Sequence, residues 1–207
     1  MAGRKRASYE RVVEKTASIG KAAVGLFRAK GYLETSMQDI SKACRMSKGG
    51  IYHYFAAKDR ILFFVLSGYM DRILEGLENE LFAIAGPEER IRFVIRRHIR
   101  LYTRYQAEAK TLLHDANCLP KKYFNVVADK ERKYYRIVSG VLDEFFGRTM
   151  PKKELTAATF LLFGMCNWIY SWYDPKGPVT PDDLAEMIYR MFMEGCGSIK
   201  NVHHPSR

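Results

Sequence analysis

Polar–apolar alternation at period two is missing from this sequence, so a β-sheet fold is excluded and an all-α chain is expected. Cysteine is scarce. The 207 residues hold four, Cys44, Cys118, Cys166 and Cys196, far apart and without a Cys-x-x-Cys pair. Neither a structural zinc site nor a disulfide framework is expected, and no metal is assigned. Catalytic signatures are also lacking: there is no Gly-x-Ser-x-Gly, no His-Glu-x-x-His and no phosphate-binding glycine loop, which argues against an enzyme. The basic start, Met1 to Ser8, leads into Tyr9–Lys15, which carries four charges rather than the apolar core of a signal peptide. A reducing, cytoplasmic setting is expected. Long hydrophobic runs are rare. Leu155–Tyr173 is 19 residues without a charge, which is near membrane-spanning length. Thr156, Thr159, Asn167 and Ser171 would each place a polar group in lipid. A helix buried in a core or subunit interface gives the same pattern, and that is the expectation, with no membrane partner.

Positive charge, by contrast, is in excess. There are 34 Lys+Arg against 23 Asp+Glu, a formal net charge of +11. Residues 1–60 hold 13 basic and 5 acidic side chains, and the other 147 hold 21 and 18. A polyanionic partner is implied, facing the N-terminal third.

Apolar spacings of three and four predict about nine helices. Val12, Val13, Thr16, Ile19, Ala23, Leu26 and Phe27 mark the first, over about 9–30, with Ser8 as a possible N-cap and Gly31 as its stop. Short helices follow over 37–44, capped by Thr35 or Ser36, and over 48–55, capped by Ser47. Lys58 opens a long helix whose stripe runs through Leu62, Val65, Leu66, Tyr69, Ile73, Leu77 and Leu81. Helices are further expected over about 88–105, 108–117 and 120–147, from Pro151 to Tyr173, and from Pro181. Residues 1–7 and about 200–207 read as loose tails.

The two short helices, three residues apart, have helix-turn-helix spacing. The second begins Ser47-Lys48-Gly49-Gly50-Ile51-Tyr52-His53-Tyr54-Phe55. Its small, polar first turn permits close approach to a duplex, and its N-terminal amides can hold a phosphate. Tyr52, His53 and Tyr54 offer hydroxyl, imidazole and ring faces for phosphate, base edges or thymine methyls. A helical corner with solvated lysines would give the same spacing.

Gly31-Tyr32-x-x-Thr35-Ser36-Met37-x-Asp39-Ile40-x-x-Ala43, followed by Ser47 to Phe55 and Lys58, resembles the TetR family of bacterial transcriptional repressors over about residues 9–66. Arg45-Met46 stands where that family often has a small residue and valine, so Arg45 is either a DNA contact or solvated. The resemblance implies a homodimer that binds double-stranded operator DNA and is released by a small-molecule inducer, with no cofactor. It implies a DNA-binding helix-turn-helix domain over 1–55 and a helical ligand-binding and dimerisation domain over 56–207. Thr35 and Ser36 would cap the first short helix on a phosphate. Ser47, Lys48, Gly49, Gly50, Tyr52 and His53 would face the major groove or its rim, and Tyr54 and Lys58 would touch backbone phosphate. Ile51 and Phe55 would pack inside.

The segment Phe163 to Gly177 resembles a branch of the family that senses acyl-CoA thioesters in fatty-acid, aromatic-acid or steroid breakdown, on its Asn167-Trp168 and Trp172-Tyr173 pairs. That resemblance implies ligand contacts at Asn167, Trp168 and Tyr170; packing in a core or dimer interface is the other reading of the tryptophans. Arg92, Arg96, Arg100 and Arg104 line one helix face. Either they are solvated or paired with acids, or Arg96 and Arg100 meet the phosphates of CoA. His98, on the opposite face, is core or ligand contact. A TetR-like regulator of efflux or stress genes that responds to a hydrophobic drug-like molecule is the alternative. Dimer contacts are expected from Met187, Met191 and Phe192 with Leu161, Leu162 or Trp168.

Overall fold

The computed structural model describes the backbone of residues 2–199 and the side chains of residue 6 and residues 9–195. The tail expected at 200–207 and the side chain of Cys196 lie outside that set. Every regular element among the described residues is helical, as the sequence leads one to expect. The ten α-helices are α1 (Ala2–Lys30), α2 (Met37–Ala43), α3 (Lys48–Tyr54), α4 (Lys58–Leu74), α5 (Leu77–Ala83), α6 (Pro87–Arg104), α7 (Gln106–Asp115), α8 (Lys121–Phe145), α9 (Lys152–Asn167) and α10 (Pro181–Ile199). Two short 3-10 helices follow α7 and α9, at Ala116–Cys118 and Trp168–Ser171.

Three expectations need correction. Helix α1 begins at Ala2 rather than after Ser8; alanine, arginine and lysine favour helix and outweigh the single glycine at Gly3. Its apolar face is buried only from Ile19 on, through Ala23, Val24 and Phe27, whereas Val12 and Val13 are exposed because no other element covers them. The long helix from Lys58 breaks. Gly76 adopts a left-handed φ of 69° and starts α5 as a separate element, although Ile73, Leu77 and Leu81 are all buried as the stripe predicts. The charge-free run is not one helix either. It begins three charged residues in, after Lys152, Lys153 and Glu154, and tightens to 3-10 geometry at Trp168. No helix among the described residues is long and apolar enough to cross a membrane.

The chain forms two compact units. One takes in the residues up to Arg72 together with Ala107–Glu131; the other takes in Ile73–Gln106 and the chain from Arg132 on. In the first, Ile19, Ala23 and Phe27 of α1, Ile40 of α2, Ile51 of α3 and Ile61, Leu62 and Leu66 of α4 are buried. Gly20 lets α1 approach α4: a Cβ there would lie 3.0 Å from the Phe64 ring. In the second, α6 packs along α10. Ile91, Val94, Ile95 and Ile99 of α6 and Leu184, Ile188 and Phe192 of α10 are buried. The Tyr189 hydroxyl donates to Glu88 Oε1 at 2.6 Å, which ties the two helices at one edge.

Candidate nucleic-acid interface and ligand site

Local chemistry sets the start of each short helix. Ser36 Oγ accepts the Asp39 amide at 3.1 Å, and the Asp39 carboxylate accepts the Ser36 amide at 2.8 Å. This is a reciprocal capping box. The Lys30 ammonium lies 2.8 Å from the same carboxylate, tying the end of α1 to the first turn of α2. That bond, followed by those from Ser36, holds the Asp39 carboxyl well below the usual carboxylate range.

The turn from α2 to α3 is a Schellman motif. The Met46 amide donates to Ser41 O at 3.0 Å and the Arg45 amide to Lys42 O at 3.1 Å. Arg45 takes the left-handed position, with φ 52°, where glycine is usual. Its side chain is exposed at the entry to α3. Ser47 Oγ then accepts the Gly50 amide at 3.1 Å and caps α3. Ile51 and Phe55 are buried. Ser47, Lys48, Gly49, Tyr52 and His53 are exposed, while Gly50 and Tyr54 are half-buried. A Cβ at Gly50 would crowd Ser47 Oγ at 3.2 Å, so the cap itself favours glycine there. A Cβ at Gly49 would meet nothing within 4 Å. The fold makes no steric demand for glycine at 49, which leaves room for the backbone to come close to a partner.

Two residues expected at phosphates serve the protein instead. Thr35 is buried, and its hydroxyl donates to Gly31 O at 2.8 Å. The Lys58 ammonium donates to Tyr32 O at 2.7 Å, Leu33 O at 3.2 Å and Thr35 O at 2.7 Å, and lies 4.2 Å from the Tyr32 ring centroid. All three of its N–H groups are committed to the loop between α1 and α2. Partial burial lowers its pKa. Ser36 is exposed but occupied by its capping box.

The five ligand-side residues do not converge. Trp168 is 63% exposed. It lines an open apolar groove of about 730 Å³ with Ala157, Phe160, Leu161, Gly164, Met165 and Trp172. Tyr170 is half-buried, its ring centroid 6.0 Å from that of Trp168. Arg100 grips Asp182 with two bonds of 2.8 Å, and Arg92 reaches Glu186 at 2.6 Å while stacking on Tyr189 at 3.7 Å. The arginine stripe of α6 thus spends two members on the acids of α10, as the reading of that stripe as paired with acids expects. Arg96 is exposed. Asn167 alone of the five turns inward, with Oδ1 buried.

Beside it lies the histidine expected either in the core or at a ligand. His98 is buried, its Nδ1 2.9 Å from the Tyr134 hydroxyl. Its ring stacks on Tyr102 at 4.2 Å and lies 6.0 Å from Phe163. Burial holds the imidazole down at about 4, an effect only partly offset by Asn167. The one legible signal was a histidine on an otherwise apolar helix face. Among the described residues, no group of three or more His, Cys, Asp or Glu side chains could hold a metal ion.

Residues 19–63 match the family model for bacterial regulatory proteins of the tetR family. Residues 85–196 match the model for a tetracyclin repressor-like C-terminal domain. A TetR-family transcriptional regulator from Bordetella parapertussis superposes with a TM-score of 0.84 at 28% identity, covering 91% of this chain and 98% of that one. AibR, solved in complex with isovaleryl coenzyme A and operator DNA, superposes with a TM-score of 0.75 at 30% identity, over 85% of this chain and 96% of its own. The HTH-type transcriptional repressor KstR2 of Mycobacterium tuberculosis is 20% identical over 84% of this chain and 88% of its own. Two family models that together span most of the chain, laid over a capped helix-turn-helix with an exposed polar face, establish that this protein belongs to the TetR family of ligand-responsive transcriptional repressors.

Proposed function

We propose that this protein works in the cytoplasm as a dimeric operator-binding repressor whose inducer is an acyl-CoA thioester. Residues 1–55 read DNA and residues 56–207 bind the ligand and dimerise. The observation that carries the ligand class is the likeness to AibR at 30% identity, a protein solved with both isovaleryl coenzyme A and operator DNA.

On the DNA side, Ser47, Lys48, Gly49, Gly50, Tyr52 and His53 enter the major groove or follow its rim, with Arg45, Ser36 and Tyr54 at the flanks. The exposure of this face and the burial of Ile51 and Phe55 on the other side support the assignment. Lys48→Ala should weaken binding to every sequence and reduce the slope of log affinity against log salt by about one, because each phosphate contact releases about one counterion. His53→Ala should instead change sequence preference at constant slope. Gel-shift titrations from about 50 to 200 mM salt check both; unchanged affinity in both variants would move the interface off α3.

Dimerisation uses the outer face of α9 and α10. Leu161 is 60% and Met191 64% exposed, as are Trp172 and Met187 at more than half. An apolar face of this size on a water-soluble regulator is explained by a second copy. Phe192 and Leu162 are buried within the protomer and support the face from behind.

Helix α4 begins in the compact unit that holds α2 and α3 and ends in the other. It is the covalent route by which an occupied ligand site resets the recognition helices. A coupling of about 1–3 kcal/mol changes operator affinity 5–150-fold, provided the ligand prefers one state. Operator affinity measured with and without isovaleryl-CoA, octanoyl-CoA and free CoA tests the reading. Release by a thioester and not by CoA is expected. Release by a neutral or cationic drug alone would favour the efflux or stress-response alternative.

A further inference from the structure

The stretch from α7 into α8 belongs to the first compact unit although it follows α6 in the chain. The end of α7 lies against the loop that leads into α2: the Tyr32 amide donates to the Asp115 carboxylate. Lys121 and Lys122 then open α8, whose first turn holds no acid. Tyr123 packs on the start of α4. Its ring stacks on Phe63 at 4.6 Å, and the Arg60 guanidinium and the Lys122 ammonium stand over it at 4.6 and 4.9 Å.

Arg60, Lys121 and Lys122 are all exposed. None is paired with an acid among the described residues. The acids of the neighbouring turns, Asp59 and Asp115, are half-buried. For the protein alone this arrangement is unfavourable on two counts. The Tyr123 ring attracts each cation, yet it brings two like charges together with no acid between them. The two lysines also stand at the positive end of a 25-residue helix. Both counts reverse beside a polyanion, whose phosphates take up the cations and release their own counterions. The place suits such a partner. Arg60 follows α3 within the first turn of α4, and Lys58 of that turn reaches back to Tyr32 O. The patch thus adjoins both the loop that ends at the Ser36 cap and the segment that leaves α3.

We propose that Arg60, Lys121 and Lys122 form an outer phosphate-binding patch, which holds the sugar-phosphate backbone of the duplex beyond the bases that α3 reads. The DNA interface then extends past residue 55 and takes in a much later part of the chain. The patch adds affinity without sequence preference, because phosphates are the same at every base pair. This rests on the operator-binding reading above and enlarges its footprint.

Fluorescence anisotropy of the full chain on a random-sequence duplex of about 40 base pairs, from about 50 to 200 mM salt, tests it. Lys121→Gln with Lys122→Gln should reduce the slope of log affinity against log salt by about 1.8. Arg60→Gln added to that pair should remove about 0.9 more, the share of one phosphate contact. The charge-keeping pair Lys121→Arg with Lys122→Arg should retain the wild-type slope. Lys133→Gln with Arg136→Gln removes the same charge later on α8, in the other unit, and should leave the slope unchanged. The thermal midpoint of the glutamine pair should hold or rise, since two cations leave a helix N-terminus. A wild-type slope in the triple variant, whatever its midpoint, overturns the inference; if Lys48→Ala still lowers the slope, the operator-binding reading stands. An equal fall in the Lys133 and Arg136 pair makes the effect one of net charge and overturns the inference too. If the wild type binds no duplex, the operator-binding reading fails and this inference fails with it.

Discussion

Leu161→Glu is expected to turn the dimer into a monomer at micromolar concentration. The side chain stands on the outer face of α9, in the apolar groove shared with Phe160, Trp168 and Trp172. At the proposed interface two-fold pairing would bring that face against its own copy, so one substitution would introduce two like charges into one dry interface. Desolvation with no partner costs several kcal/mol, and about 4 kcal/mol weakens association about a thousandfold. Sedimentation velocity reads the mass directly. Operator affinity should fall with it, because two half-sites about 34 Å apart are beyond the reach of one helix-turn-helix. Leu161 faces outward, so the protomer should stay folded by circular dichroism. A variant that remains dimeric would place the interface elsewhere.

Lys58→Met should destabilise the DNA-reading unit by about 2–3 kcal/mol, the loss of charge-assisted bonds to the carbonyls of Tyr32, Leu33 and Thr35. In a chain of this length that lowers the thermal midpoint by about 5–10 °C. Methionine is of similar length and apolar, so the drop reports the ammonium, both its bonds to the carbonyls and its place over the Tyr32 ring. Below the new transition, the salt slope of operator binding should match the wild type. A slope smaller by about 0.9, with stability unchanged, would return Lys58 to the phosphate backbone.

What could be read in advance follows from how local each determinant is. The start of α3 is legible because Ser47, the glycines and the Ile51–Phe55 spacing act within one or two turns. Lys58 is not legible, since its acceptors are backbone carbonyls 23 to 26 residues earlier, and a carbonyl has no sequence signature. The arginine stripe of α6 misleads for a related reason. Its partners, Asp182 and Glu186, are one turn apart on a helix more than 80 residues later. The Leu155–Tyr173 run is apolar on both sides, so it could not say which side was inward. The structure turns Ala158, Leu162, Cys166 and Ile169 in, and Phe160, Leu161 and Trp168 out. At Gly76 the apolar period continues through a break that only the backbone φ reveals.

The first compact unit is discontinuous: it takes the residues up to Arg72, releases the chain, and takes it back at Ala107–Glu131. The two compact units are therefore interleaved along the polypeptide rather than strung in series. A single crossover between this gene and that of another repressor would separate α7 and the start of α8 from the helices they are grouped with. Exchange of one unit by recombination is thus a three-junction event, in nature as in the laboratory. Point substitution on the exposed turn of α3 is the shorter route to a new operator.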